Sequence, residues 1–279
     1  MGISLRTNVA SLQANTSLQQ TNERLNNSMT KLASGLRINR AGDDAAGLAI
    51  SEQFRADLKS LEQLKRNAND GVSLIQTAEG ALGEVSSILT RMRELAVQAA
   101  TDTLSPNQRG FLEDELGQLR SEIDRIGATV EFNDLALLSG QFATTAAGLT
   151  FQVDLSGDIN QQITVQIGTV SPSSLGIQGV LLSNPGSARS ALSVLDDAIE
   201  GVSAQRATLG SAQNRLQAAI NNISTQFTNM SASNSRIRDV DVAEETAQMT
   251  REQILMQAGV AVLAQANQVP QLALQLLSG

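Results

Sequence analysis

Apolar residues recur at every seventh position from Phe54 onward: Phe54, Leu61, Ala68, Ile75, Leu82, Leu89 and Ala96. Leu64, Ala78, Val85, Met92 and Ala99 follow three residues later, with Asp57 and Gly71 as gaps. Alternating spacings of three and four hold such residues on one helix face, and the pattern predicts a single helix of roughly 69 Å at about 1.5 Å per residue. Ser105-Pro106 reads as an N-cap and first helical residue. They open a second helix with the seam Leu112, Leu116, Leu119, Ile123 and Ile126, which ends at Gly127. Between residues 142 and 184 the period falls to two. Leu149, Phe151, Val153 and Leu155 alternate, Ser156-Gly157-Asp158 can turn, and Ile163, Val165 and Ile167 alternate again, predicting a β-hairpin. The seven-residue period returns after Ser187 with Leu195, Val202, Leu209, Leu216, Ile223, Met230 and Ile237. A last helix follows Asp241, with Met249, Met256, Val260 and Leu263 assigned to one face. The expected fold is mainly α: a long antiparallel helical bundle or coiled-coil rod with a small β-hairpin region, its first and last helices paired.

Two polar stretches interrupt this pattern. In the first, Ser34-Gly35 can end a helix with a left-handed residue and Asp43 or Asp44 can cap the next. The segment between them then becomes a spoke, in which Arg37 and Arg40 are placed to form ion pairs with Asp43 and Asp44, within or between subunits. The mirror segment is Ile237-Arg238-Asp239-Val240-Asp241. A paired aspartate can also signal acid–base chemistry, but no histidine, metal-ligand spacing or opposing carboxylate accompanies this one.

Charge changes the picture at the ends. No charged residue occurs from Thr7 to Asn22 or from Gln253 to Gly279. Glutamines and asparagines interrupt the second stretch too often for a membrane span. A neutral amide face instead suits close stacking of identical copies, where any charge would meet its own image. Isolated helices of this length are marginal in water, so the ends are expected to order on assembly.

Composition narrows the function further. The chain has no Cys and no His, which excludes disulfides, thiolate nucleophiles and histidine-based catalysis. Aromatic residues make up only 2%, fitting packed helices better than an enzyme core. A net charge of −8 disfavours a nucleic-acid partner. The first residues lack the apolar core of a Sec signal. No cofactor is expected.

The stretch from Leu32 to Ile50, LASGLRINRAGDDAAGLAI, closely resembles the N-terminal signature of bacterial flagellins, as does MRELAVQAA from Met92. The stretch from Ser235 to Leu277 resembles their C-terminal signature. Together the matches span both ends of the chain, and only a short middle occupies the place where larger members carry outer domains. The resemblance implies an inner (D0) helix and spoke at residues 1–42 and a rod (D1) at 43–237, with the hairpin region at about 142–184. A C-terminal inner helix would occupy 238–279. It implies a structural subunit with no enzymatic activity, exported unfolded through the flagellar type III apparatus, that self-polymerises into the extracellular filament of motility. A hook–filament junction protein is the alternative within the same superfamily.

Site residues follow from the same resemblance. Spoke and subunit contacts fall to Arg37, Asn39, Arg40, Asp43, Asp44, Arg238, Asp239 and Asp241. Assembly of the inner helices falls to Val9, Leu12, Leu25, Leu32, Met256, Val260, Leu263 and Leu274. Gln257, Gln265, Gln268 and Gln275 are channel-lining candidates. Arg91, Leu95 and Glu115 match positions that Toll-like receptor 5 contacts on released flagellin monomers. For this, Leu95, off the main seam and one turn from Arg91, is expected to face outward, while core packing and subunit contact remain open for it. Further implied partners are other copies of the chain, the flagellar cap and hook-associated proteins, and an export chaperone at the C-terminal helix.

Overall fold

The computed structural model describes residues 7–144, 148–156, 158 and 161–278, with side chains as far as Gln268. Five helices dominate: α1 (Val9–Ser34), α2 (Ala45–Ala99), α3 (Pro106–Thr129), α4 (Pro185–Arg238) and α5 (Val242–Ser278). Two antiparallel strand pairs lie between α3 and α4, β1 (Glu131–Phe132) with β2 (Leu135–Ala136), and β3 (Leu149–Gln152) with β4 (Gln162–Val165). The mainly helical architecture, the hairpin and the pairing of first and last helices agree with the sequence pattern. The chain divides into two compact units, one of residues 1–56 and 229–279 and the other of residues 57–228.

The second unit holds the large core. Leu61, Ala68, Ile75, Leu82, Leu89 and Ala96 are all buried, as are Leu64, Ala78, Val85, Met92 and Ala99, so the seven-residue period of α2 is the period of its packing. Leu195, Val202, Leu209, Leu216 and Ile223 do the same for α4. A third column on α2 is also inward, with Leu74 and Leu95 buried and Ala81 and Ile88 packed against the core. Such a wide stripe is what a helix needs when more than one neighbour covers it. Full burial of each Leu or Ile here contributes about 1.5–3 kcal/mol.

The gap at Gly71 has a physical cause. A Cβ at this position would lie 3.0 Å from the Phe151 ring and 3.1 Å from Leu216, so the missing side chain is the notch into which the hairpin's phenylalanine packs. Gly127 serves a similar purpose rather than ending its helix. The helix runs on to Thr129, and a Cβ on Gly127 would meet the Val170 carbonyl oxygen at 1.9 Å. Ser105 caps α3 as expected and forms a full capping box, its hydroxyl accepting from the Gln108 amide while Gln108 Oε1 accepts from the Ser105 amide.

Several stabilising features lie outside the expected set. The β1–β2 turn uses Asn133 and Asp134 at φ of 49° and 64°, the left-handed pair that tight hairpins require. Arg109 is buried, and its guanidinium donates to the carbonyls of Ala99 (3.2 Å) and Thr101 (2.6 Å), closing the C-terminal end of α2.

In the other unit α1 and α5 pair antiparallel. Asn8 Nδ2 donates to the Ala266 carbonyl at 2.8 Å, Leu18 packs at Gly259, and Arg24 and Lys31 reach Glu252 and Glu245, each at 3.7 Å. The α1 seam comprises Ser11, Ala14, Leu18, Thr21, Leu25 and Ser28, and on α5 Met256, Gly259, Leu263 and Ala266 face it. Spacings of three and four again match a coiled-coil seam, although small and polar side chains make up six of these ten positions.

Candidate assembly site: the spokes and the paired ends

The first break begins at Gly35, which adopts φ 71° and ends α1 as a left-handed cap. The two aspartates then divide the work. Asp43 Oδ2 accepts from the backbone amides of Asn39 (3.0 Å) and Arg40 (2.9 Å), folding the loop back on itself. Asp44 Oδ1 accepts from the Gly47 amide at 2.8 Å and caps α2. Those two amides, first Arg40 then Asn39, hold the Asp43 carboxyl below its usual range, with a smaller contribution from the charges of Lys31 and Arg40. Asn39 Nδ2 ties the loop to Ser34 Oγ at 2.8 Å, and Ile38 is buried beneath it. A side chain at Gly47 would collide with Ile38 Cδ1 at 2.8 Å.

Within one subunit, the expected ion pairs between Arg37 or Arg40 and the two aspartates do not form among the described residues. The carboxylates are occupied by backbone amides. Arg37 turns instead to the other spoke, donating from Nη2 to the Ile237 carbonyl at 2.6 Å. The two spokes then pair as backbone: Leu36 bridges Asp239, Arg37 N–H donates to the Arg238 carbonyl at 2.7 Å, and Val240 N–H donates to the Gly35 carbonyl at 3.1 Å. Arg238 anchors its spoke to α2 through Glu52 at 2.7 Å, and Asp241 caps α5 by accepting from Ala243 and Glu244.

The named helix residues fall into two sets. Leu25 is buried, and Leu32, Met256 and Leu263 are half-buried on or beside the α1–α5 seam. Val9, Leu12 and Val260 stay 61%, 65% and 54% exposed. Val260 therefore does not share the seam with Met256 and Leu263; Gly259 takes that place, because residues 256, 259 and 263 keep the coiled-coil spacing. Ile254, Leu255 and Val262 are exposed as well. Gln257, Gln265 and Gln268 are exposed away from the seam. The side chains of Leu274 and Gln275 lie outside the described residues.

Arg91 and Glu115 meet on the surface of the second unit. Arg91 donates from Nε and Nη2 to Glu115 Oε1 at 3.0 and 2.9 Å, and from Nη1 to Glu94 at 3.0 Å. The bonds to Glu115, then to Glu94, raise its pKa further, so it stays charged. Leu95 corrects the outward-facing expectation. It is 1% exposed and belongs to the third core column of α2.

Among the described residues no cluster of acidic side chains could hold a metal ion, and no helix is long and apolar enough to cross a membrane. The features that stand out are paired ends, spokes joined through backbone, and uncovered apolar side chains. They define a class of helical building block with paired ends and exposed apolar surfaces.

Comparison with known proteins places the chain within that class. The model of the bacterial flagellin N-terminal helical region matches residues 5–143, and that of the C-terminal helical region matches residues 192–277. A flagellin of Halalkalibacterium halodurans is 47% identical over 251 residues, covering 89% of this chain and 90% of its own. The flagellar filament 33 kDa core protein of Treponema phagedenis is 41% identical over 282 residues, covering 97% and 98%. Among solved structures, a protein from Vibrio parahaemolyticus assigned as flagellar hook-associated superposes with a TM-score of 0.59. It covers 71% of this chain and 100% of its own at 15% identity, a likeness of fold. The chain belongs to the bacterial flagellin family. It is a structural subunit of the flagellar filament, the assembly of bacterial motility.

Proposed function

We propose that the chain polymerises through the unit formed by its two ends, with the other unit as the solvated outer rod. The distribution of charge carries this reading. The unit of residues 1–56 and 229–279 has nine basic and nine acidic residues and is neutral, whereas residues 57–228 have eleven basic and nineteen acidic and carry the whole net charge of −8. A neutral surface associates with its own copies without self-repulsion, while a charged one stays solvated. Two like charges about 4 Å apart repel by about 4 kcal/mol at an effective dielectric of about 20. The uncovered Val9, Leu12, Ile254, Leu255, Val260 and Val262 lie in the charge-free stretches and supply the apolar contact. In this arrangement residues 1–42 and 238–279 form the inner tube, Gln257, Gln265 and Gln268 line its channel, and residues 43–237 form the rod. Concentrating the purified chain onto sheared filament seeds tests the reading by electron microscopy. Long filaments from the full chain and none from a chain lacking Gln253–Gly279 are expected; filaments from the shortened chain would refute it.

Secretion in an unfolded state through the flagellar type III apparatus fits a chain with no disulfide to form and terminal helices held by a thin seam. Under this reading the C-terminal helix meets its export chaperone first, and the growing end meets cap and hook-associated proteins afterwards. Identity of 47% and 41% to filament proteins favours a filament subunit over a hook–filament junction protein. Toll-like receptor 5 recognition of a released monomer would rest on the exposed Arg91–Glu115 pair, Leu95 acting only by shaping the helix beneath it. Receptor activation unchanged by replacing both Arg91 and Glu115 with Ala would remove that reading.

A further inference from the structure

Among the described residues, the seam between α1 and α5 buries one charged side chain. Glu252 is 1% exposed, in the middle of a helix pair built from small and apolar side chains. Gln248 Nε2 donates to its Oε1 at 3.1 Å, and Arg24 Nη1 lies 3.7 Å from the same oxygen. Its Oε2 is buried with no hydrogen-bond partner. A carboxylate this enclosed depends heavily on its single cation, since removing one partner of a buried pair leaves an uncompensated charge.

The sequence around it gives little other guidance on how the helices align. α5 is apolar across a wide arc, with Leu255 and Val262 on one flank, Met256 and Leu263 near the middle and Val260 on the other, roughly 160° at about 100° per residue. Small seam residues such as Ala14, Ser28 and Gly259 interlock weakly. The charges, in contrast, are complementary in one alignment. Arg24 and Lys31 are spaced as Glu252 and Glu245 are, in opposite chain directions, and both pairs close at 3.7 Å.

We infer that Glu252 fixes the register of the terminal helices, acting as a specificity residue for their pairing. An inward slip of seven residues would drive the start of α5 into the paired spokes. An outward slip has to unpair the spokes or unwind the start of α5, because Asp239 and Val240 are bonded to Leu36 and Gly35, and it sets Gly259 against Ser11 and Glu252 against Leu18. Glu245 would then exchange Lys31 for Arg24, while Glu252 would face the stretch from Thr7 to Asn22, which holds no cation. Only the observed register pairs both carboxylates. A buried polar residue that selects one alignment at a cost in stability is an established device in coiled coils. The inference deepens the proposed assembly, because the register decides which of Val9, Leu12, Ile254 and Val262 come level on the face shown to a neighbouring copy.

The absence of cysteine from the chain makes the test direct. Two full-length cysteine pairs are made: Leu18→Cys with Gly259→Cys for the observed register, and Ser11→Cys with Gly259→Cys for the outward slip. Each cysteine chain is carried as a minor fraction in filaments of the parent chain, where the terminal helices are ordered, and oxidised. Intramolecular closure is read as a faster band on a non-reducing gel, with incorporation scored separately by sedimentation. With Glu252 in place, the observed-register pair closes at least about tenfold faster than the slipped pair. In a Glu252→Met background the ratio falls towards one, with helicity by circular dichroism retained. Exchanging the charges, Arg24→Glu with Glu252→Arg, restores the preference and decides the matter should the methionine variant lose helicity. Equal closure of both pairs in the parent chain, an unchanged ratio with methionine, or no restoration by the exchange would overturn the inference.

Discussion

Leu95→Ala separates core packing from outward recognition. The side chain is 1% exposed and packs in a column with Leu74, Ala81 and Ile88. Truncating a buried leucine removes its transfer energy and leaves a cavity, costing 2–5 kcal/mol with about 3 kcal/mol as a central value. For a unit of this size each kcal/mol lowers Tm by about 2–4 °C, so the variant should melt about 6–12 °C below the parent. Arg91→Ala, one helical turn away, removes only exposed ion pairs and should melt close to the parent. Differential scanning calorimetry of both variants measures the contrast. A Leu95→Ala chain that melts within 1–2 °C of the parent, about the width of a surface substitution, would refute the assignment of Leu95 to the core.

Other substitutions probe particular contacts. Gly127→Ala places a Cβ 1.9 Å from the Val170 carbonyl oxygen and should cost about 1–3 kcal/mol by urea unfolding; wild-type stability would show that the close approach is not required. Ser105→Ala removes the capping hydroxyl and should cost about 1 kcal/mol, with Ser105→Asp recovering most of it. Asp43 has a folded pKa below its usual range, so its contribution to loop order is present above that range and is lost as pH falls through the lowered value. The amide proton shifts of Asn39 and Arg40 should therefore titrate together, with a midpoint below that of an ordinary aspartate. A midpoint at the ordinary value would contradict the two amide hydrogen bonds.

The features legible in the sequence were those that repeat. The seven-residue columns of α2 and α4 reported the core directly, because the helical period and the packing period coincide. Local chemistry was legible too: Gly35 as a left-handed cap, Ser105-Pro106 as a helix start, the alternation of β3 and β4. What escaped depended on partners far along the chain. Gly71 reads as a defect until Phe151 fills it, and Gly127 reads as a stop until Val170 approaches. Arg37 bonds a carbonyl of the other spoke, and a carbonyl carries no side-chain signature. Arg109 escaped for the same reason. The third column of α2 was visible in the spacing of Leu74, Ala81, Ile88 and Leu95, but a two-column template passed over it. Asn133-Asp134 was likewise a visible turn signal, hidden only by the shortness of its strands.

Sedimentation of two matched charge insertions tests the central claim, that the neutral unit is the assembling surface. Leu12 is 65% exposed in the neutral unit, and Gln118 is exposed in the acidic one, so a glutamate at either site leaves the isolated fold intact. After seeded assembly, the Leu12→Glu chain is predicted to remain in the supernatant while the Gln118→Glu chain pellets as the parent does. Pelleting of the Leu12→Glu chain to the parent's extent would contradict the account.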